Sequence, residues 1–91
     1  MFFEYDENKS KSSQLKHGID FEEAKRLWQD PYAFEIPSLS CNDEDRFLVV
    51  GRIDSKNWTA IITYSDKNIR IISVRRSRKQ EEKLYESIRT R

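Results

Sequence analysis

The chain has 91 residues, 36% hydrophobic and 36% charged, with a formal net charge of +1. That is one domain with a compact core and a densely charged surface, near the lower size limit for folding without staples. No apolar run approaches the roughly 18 residues that span a membrane, Met1 to Asp6 lacks the zones of a secretory signal, and the single cysteine, Cys41, can build neither an internal disulfide nor a cysteine zinc site; these features fit a reducing cytoplasm.

The elements predicted in chain order form a small α+β domain. Phe2 to Tyr5 is aromatic-rich and reads as a short strand. Asp6 can cap a helix running to about Lys16, closed by Gly18, the residue best able to take a left-handed backbone. Asp20 and Glu23 form a capping-box-like pair ahead of Phe21, Ala24, Leu27 and Trp28 at helical spacing. Asp30-Pro31 stops that second helix. Ala33 to Ile36 is a short candidate strand, and Ser38 to Asp43 a polar loop. Three runs rich in β-branched and aromatic residues follow: Arg46 to Ile53, Trp58 to Tyr64 and Asn68 to Val74. Short polar connections make an antiparallel meander the economical topology. Dense apolar runs such as Leu48-Val49-Val50 imply that both faces of the sheet are at least partly covered. Ser77 with Gln80 reads as a capping box opening a C-terminal helix, with Leu84, Tyr85 and Ile88 as a narrow apolar stripe.

The modest net charge hides an asymmetry. Ile69 to Arg91 holds eight basic and three acidic residues, whereas Asp30 to Asp54 holds six acidic and two basic. A dipolar chain of this kind can turn a cationic face toward a polyanion without being basic overall. Within the basic half, Arg75 and Arg76 have the fork geometry that suits phosphate. Regular alternation along the strand puts Ile69, Ile71, Ser73 and Arg75 on one face and Arg70, Ile72, Val74 and Arg76 on the other. Upstream, Lys16 and the only histidine, His17, stand side by side at a helix end.

The ordered set of Phe3 to Lys9, Lys16-His17-Gly18-Ile19, Phe21-Glu22-Glu23-Ala24, Asp30-Pro31, Glu44, Arg46, Phe47, Gly51, Tyr64, Ile69 to Ser77, Glu82 and Tyr85 resembles the BrnT-type toxins of bacterial type II toxin–antitoxin systems. The resemblance covers nearly the whole chain and implies a single toxin domain over residues 1–91. It implies a RelE-like ribonuclease fold, a small antiparallel sheet packed with N-terminal helices and a C-terminal helix. It also implies an RNA-cleaving activity that slows growth, silenced by a cognate ribbon-helix-helix antitoxin through which the complex meets DNA only indirectly. Ser13 is a departure, since the family usually has Asn three residues before the Lys-His pair.

Cleaving RNA without a metal requires a base for the 2′-hydroxyl, cations for the phosphorane charge and an acid for the leaving 5′-oxygen. No cofactor is expected. His17 can serve in either proton-transfer role, and a helix C-terminus favours a cation, which suits an acid. Lys16 can steady the phosphate or simply complete the helix end. Arg75, favoured by the Ser73-x-Arg75 match, and Arg46 complete the expected catalytic set with Glu44. Glu44 can act as a base, orient Arg46 or pair with Arg75. Arg70, Arg76, Tyr64 and Lys79 are the expected RNA contacts. For Arg70 and Arg76 the alternative is a salt bridge to a nearby carboxylate, and for Tyr64 an ordinary core position. Three function classes therefore stay open: an endoribonuclease toxin, a non-catalytic RNA- or ribosome-binding domain, and a protein-interaction module for an acidic partner.

Overall fold

Asp6 opens the first helix as its sequence context predicts. Its carboxylate accepts the backbone N–H groups of Asn8 at 2.8 Å and Lys9 at 3.3 Å, and α1 (Glu7–His17) runs until Gly18 turns left-handed at φ 79°. The computed structural model describes residues 2–38 and 45–91, so the expectations for Cys41 and Glu44 lie outside the described residues. Asp20 repeats the capping device on Glu23 at 2.8 Å, starting α2 (Phe21–Ala24). The single second helix expected from the sequence is in fact two pieces. After one α-turn the chain tightens into a 3-10 helix over Lys25–Gln29, and Asp30 N–H closes on Leu27 O at 3.2 Å, just ahead of Pro31.

Five strands form one sheet: β1 (Phe2–Glu4), β2 (Phe34–Pro37), β3 (Phe47–Ile53), β4 (Lys56–Ser65) and β5 (Asn68–Arg76), in the order β1-β5-β4-β3-β2. The antiparallel meander expected from the polar connections is β3–β4–β5, and β2 pairs antiparallel with β3 at one edge. β1 adds to its far edge in parallel, with Phe3 opposite Ile69. The β3–β4 connection is only two residues, Asp54 and Ser55, at φ 52° and 76°. Positive φ at both is the hairpin geometry that matches strand twist.

The core lies between one face of this sheet and the α2 layer. Val49, Ile53, Trp58, Ala60, Ile62, Ile69, Ile71 and Val74 pack there with Ile19, Phe21, Ala24 and Leu27. Gly51 occupies the same face because nothing larger fits: a Cβ there would stand 3.0 Å from Leu27 Cδ2, 3.2 Å from Ala33 Cβ and 3.3 Å from Asp30 Oδ2. Gly51→Ala is therefore expected to destabilise by about 1–3 kcal/mol through overpacking. In a thermal melt that is a loss of roughly 4–8 °C per kcal/mol for a domain of this size. An unchanged melting temperature would show that the Leu27 side chain and the Ala33 backbone give way freely.

The opposite face is covered at one end by α3 (Lys79–Arg89). Two sequence expectations change here. Ser77 is not the cap; its hydroxyl lies 2.8 Å from Thr59 Oγ1, and the first turn is closed instead by the Glu81 carboxylate accepting Arg78 N–H at 2.8 Å. Leu84 is not part of the buried stripe but 49% exposed, while Glu81 and Tyr85 turn inward. The reason is polar. Thr59 and Arg52, on the sheet face away from the core, reach Glu81 at 3.0 Å and Glu86 at 2.7 Å, and these bonds set the rotation of the helix.

Strand β5 also departs from simple alternation. Ile62 pairs with Ile71 but Ile61 pairs with Ser73, which leaves Ile72 as an extra residue in a β-bulge. Downstream of it the faces exchange. Val74 joins Ile69 and Ile71 in the core, while Ser73 and Arg75 stand on the opposite face with Arg70. The expected grouping of Ile71 with Ser73 and Arg75 is thereby corrected.

Candidate active site

Helix α1 is almost wholly polar, and it meets the molecule through small side chains. Ser10 and Ser13 are its buried residues, and Ser10 Oγ accepts the N–H of Phe21 at 2.9 Å. β1 pairs with β5 only as far as Arg70, and beyond that point α1 lies against β5. Between them is a hollow of about 310 Å³, lined by Lys9, Ser12, Ser13, Lys16, His17 and Phe21 on one side and by Ile72, Ser73 and Val74 on the other. The Lys-His turn thus stands over the bulged part of β5.

A second hollow, of about 570 Å³, adjoins the first. Lys9 and Ile72 line both, and the remaining walls are Arg46, Thr63, Tyr64, Ser65 and Arg70. Arg46 has no salt-bridge partner among the described residues, and its buried Nε has no hydrogen-bond partner there. Arg70 is exposed, with Glu4 at 3.6 Å as its carboxylate neighbour. An exposed pair at that distance is weak and yields readily to a competing anion. The Tyr64 hydroxyl donates to Glu35, and its ring lies 5.5 Å from that of Phe47. Burial, reinforced by that carboxylate, pushes the Tyr64 phenol up to about 12. At neutral pH it is therefore a proton donor or a stacking surface, not a base.

Of the sequence-predicted residues, Lys16 and His17 line the first hollow, and Arg46, Arg70 and Tyr64 line the second. Arg75 lines neither. Both its terminal nitrogens donate to Glu81, Nη1 to Oε1 at 2.8 Å and Nη2 to Oε2 at 2.9 Å. Arg76 lies over the Trp58 ring at 5.4 Å and donates Nε–H to Asn57 O, a structural seat with no carboxylate partner among the described residues. Lys79 is exposed at the start of α3. Lys9, Ser12, Ser13, Thr63, Ser65 and Ser73 complete the polar lining, and no motif singles them out as ligand contacts. Lysines and serines on a polar helix look like solvated surface, and only the contact of α1 with β5 gives them a common direction.

Three other stretches of the resemblance converge elsewhere. Asp30 Oδ2 accepts both Arg52 N–H and the Tyr85 hydroxyl at 2.8 Å, and it stands against Gly51. Asp30-Pro31, Gly51 and Tyr85 are thus parts of a structural knot joining the 3-10 helix, β3 and α3. Among the described residues, no cluster of three His, Cys, Asp or Glu side chains could hold a metal ion, and no helix is long and apolar enough to cross a membrane.

The fold is thus an α+β domain with two adjoining hollows, one walled mainly by cations and hydroxyls and the other beside a lysine–histidine turn. Residues 5–81 match the family described as "Ribonuclease toxin, BrnT, of type II toxin-antitoxin system", and the chain belongs to that family. Among curated proteins, none matches it.

Proposed function

We propose that this chain is a metal-independent endoribonuclease toxin whose reaction takes place where the two hollows meet. The carrying observation is that the fold brings Lys16 and His17 to the same stretch of β5 whose neighbouring hollow holds Arg46 and Arg70, with Lys9 common to both. In this reading, Arg46, Arg70 and Lys9 hold the phosphates by charge-assisted bonds, the strongest class of hydrogen bond available to them. Lys16 stabilises the charge that develops as the 2′-oxygen attacks phosphorus, and His17 donates the proton that the departing 5′-oxygen takes up. Glu44, two residues before Arg46, remains the sequence-derived base for the 2′-hydroxyl. The products are a 2′,3′-cyclic phosphate and a 5′-hydroxyl. Arg75 acts as scaffold through Glu81, not as a phosphate contact.

The partner that silences it is, in this reading, a ribbon-helix-helix antitoxin, and both act in the cytoplasm. An antitoxin segment over the hollows would place carboxylates where phosphates bind. The test is purified toxin with RNA in excess EDTA. Cleavage that persists and leaves cyclic-phosphate ends, and that is lost in Arg46→Ala, is the expected result. Growth arrest with intact transcripts would instead favour an RNA- or ribosome-binding domain. Restoration only by a divalent cation would end the metal-independent reading.

A further inference from the structure

The two hollows differ in kind, and the difference suggests what each receives. The one between Arg46 and Arg70 is walled mainly by cations and hydroxyls. The one between α1 and β5 has Phe21, Ile72 and Val74 as apolar lining, with serines, Lys9, Lys16 and His17 around it. Its volume of about 310 Å³ lies at the small end of the range for small-molecule sites. Ser13 contributes to that lining while 5% exposed, and its hydroxyl has no hydrogen-bond partner among the described residues. A buried hydroxyl left unpaired is costly, and folding alone gives no reason to keep it where alanine would serve the helix better.

We propose, resting on the ribonuclease reading above, that the α1–β5 hollow is a nucleobase subsite. It takes the base of the nucleotide whose phosphate lies at the Lys9 boundary, and Ser13 reads one polar edge of that base. Single-stranded RNA offers splayed bases with a flat apolar face and a polar rim, which is the pattern of this lining. The Ser13 hydroxyl has one donor and two lone pairs, so after a χ1 rotation it can serve either sense of a base edge. The bulge residue Ile72, shared by both hollows, marks the step from base to phosphate.

The test is titration of the purified chain with each nucleoside 3′-monophosphate, and with inorganic phosphate as the base-free reference, followed through backbone amide shifts. At least one nucleotide is expected to bind about 10-fold more tightly than phosphate, with shifts at Ser13, Ile72 and Val74. Ser13→Leu, which fills the hollow, is expected to bring all four nucleotides to the phosphate level. Should that variant fail to fold, Ser13→Ala serves: it is expected to melt at or above wild type yet to narrow the spread among the four bases. Equal binding of all nucleotides and phosphate by the wild-type chain, or shifts confined elsewhere, would overturn the subsite. RNA cleavage with no base preference at the cut would overturn it too, while leaving the nuclease reading intact. Base-selective binding by a chain that cuts no RNA would uphold the subsite and remove the nuclease.

Discussion

Replacing His17 with alanine is expected to slow RNA cleavage by roughly 10²- to 10⁴-fold, the usual contribution of one positioned acid or base. The side chain is exposed on the last turn of α1 and lines the hollow facing Ser73, so its loss removes a proton donor without opening the core. Stability should accordingly stay within about 0.5 kcal/mol of wild type, as for surface substitutions generally. Rates of RNA-end formation beside a thermal melt make the check, with Lys67→Ala, on the β4–β5 turn, as the control. A His17→Ala protein that cuts at the wild-type rate would leave the proposed mechanism without its acid. Lys16→Ala should weaken cleavage less, because Lys9 lines the same hollow and supplies a second cation.

The largest structural effect is expected at Glu81, which sits 7% exposed on the inward side of α3. Its carboxylate takes two bonds from Arg75, one from Thr59 and one from the Arg78 backbone. Removing it in Glu81→Ala strands the Arg75 guanidinium and frees the first turn of α3. The expected cost is about 3–5 kcal/mol, the range for breaking one side of a buried ion pair. Burial alone would raise the pKa of Glu81, but the bonds from Arg75, Arg78 and Thr59 outweigh it and hold the group down at about 2, against 4.5 for the free side chain. Because the folded-state value is the lower one, the linked stability is fully present above about pH 4.5. It is lost as pH falls toward 2, in all about 3 kcal/mol. Wild-type melts should therefore decline across that interval more steeply than those of Glu81→Gln, which has no proton to take up there. Parallel curves for the two proteins would show that the carboxylate is not the linked group.

Much of this architecture is legible in the sequence because local chemistry and tertiary demand agree. Asp6, Gly18 and Asp20 cap in the structure as their residue types predict, and the β3–β5 meander follows from short polar connections between β-branched runs. The failures share a cause: contacts between residues far apart in sequence override a local pattern. Ser77 is drawn away from capping by Thr59, eighteen residues back, and Leu84 is turned outward by the bonds that seat Glu81 and Glu86. The place of β1 depends on which edge of the sheet is free, which three residues cannot specify. For the candidate site, the Lys16-His17 pair and Arg46 could be picked out by residue type. The family match favours Arg75 over Arg70, and nothing local to β5 shows that Glu81 holds the Arg75 guanidinium. Only the carboxylate on α3 separates a scaffold guanidinium from an available one.

The bulge in β5 bears on what this molecule owes to folding and what it does not. With Ile71 opposite Ile62, Ser73 opposite Ile61 and Val74 opposite Ala60, a chain lacking Ile72 altogether would form an unbroken ladder with every interior side chain still correctly aimed. The sheet would close without it. Residue 72 is surplus to the hydrophobic pattern, and what it supplies is a wall common to two compartments of different polarity.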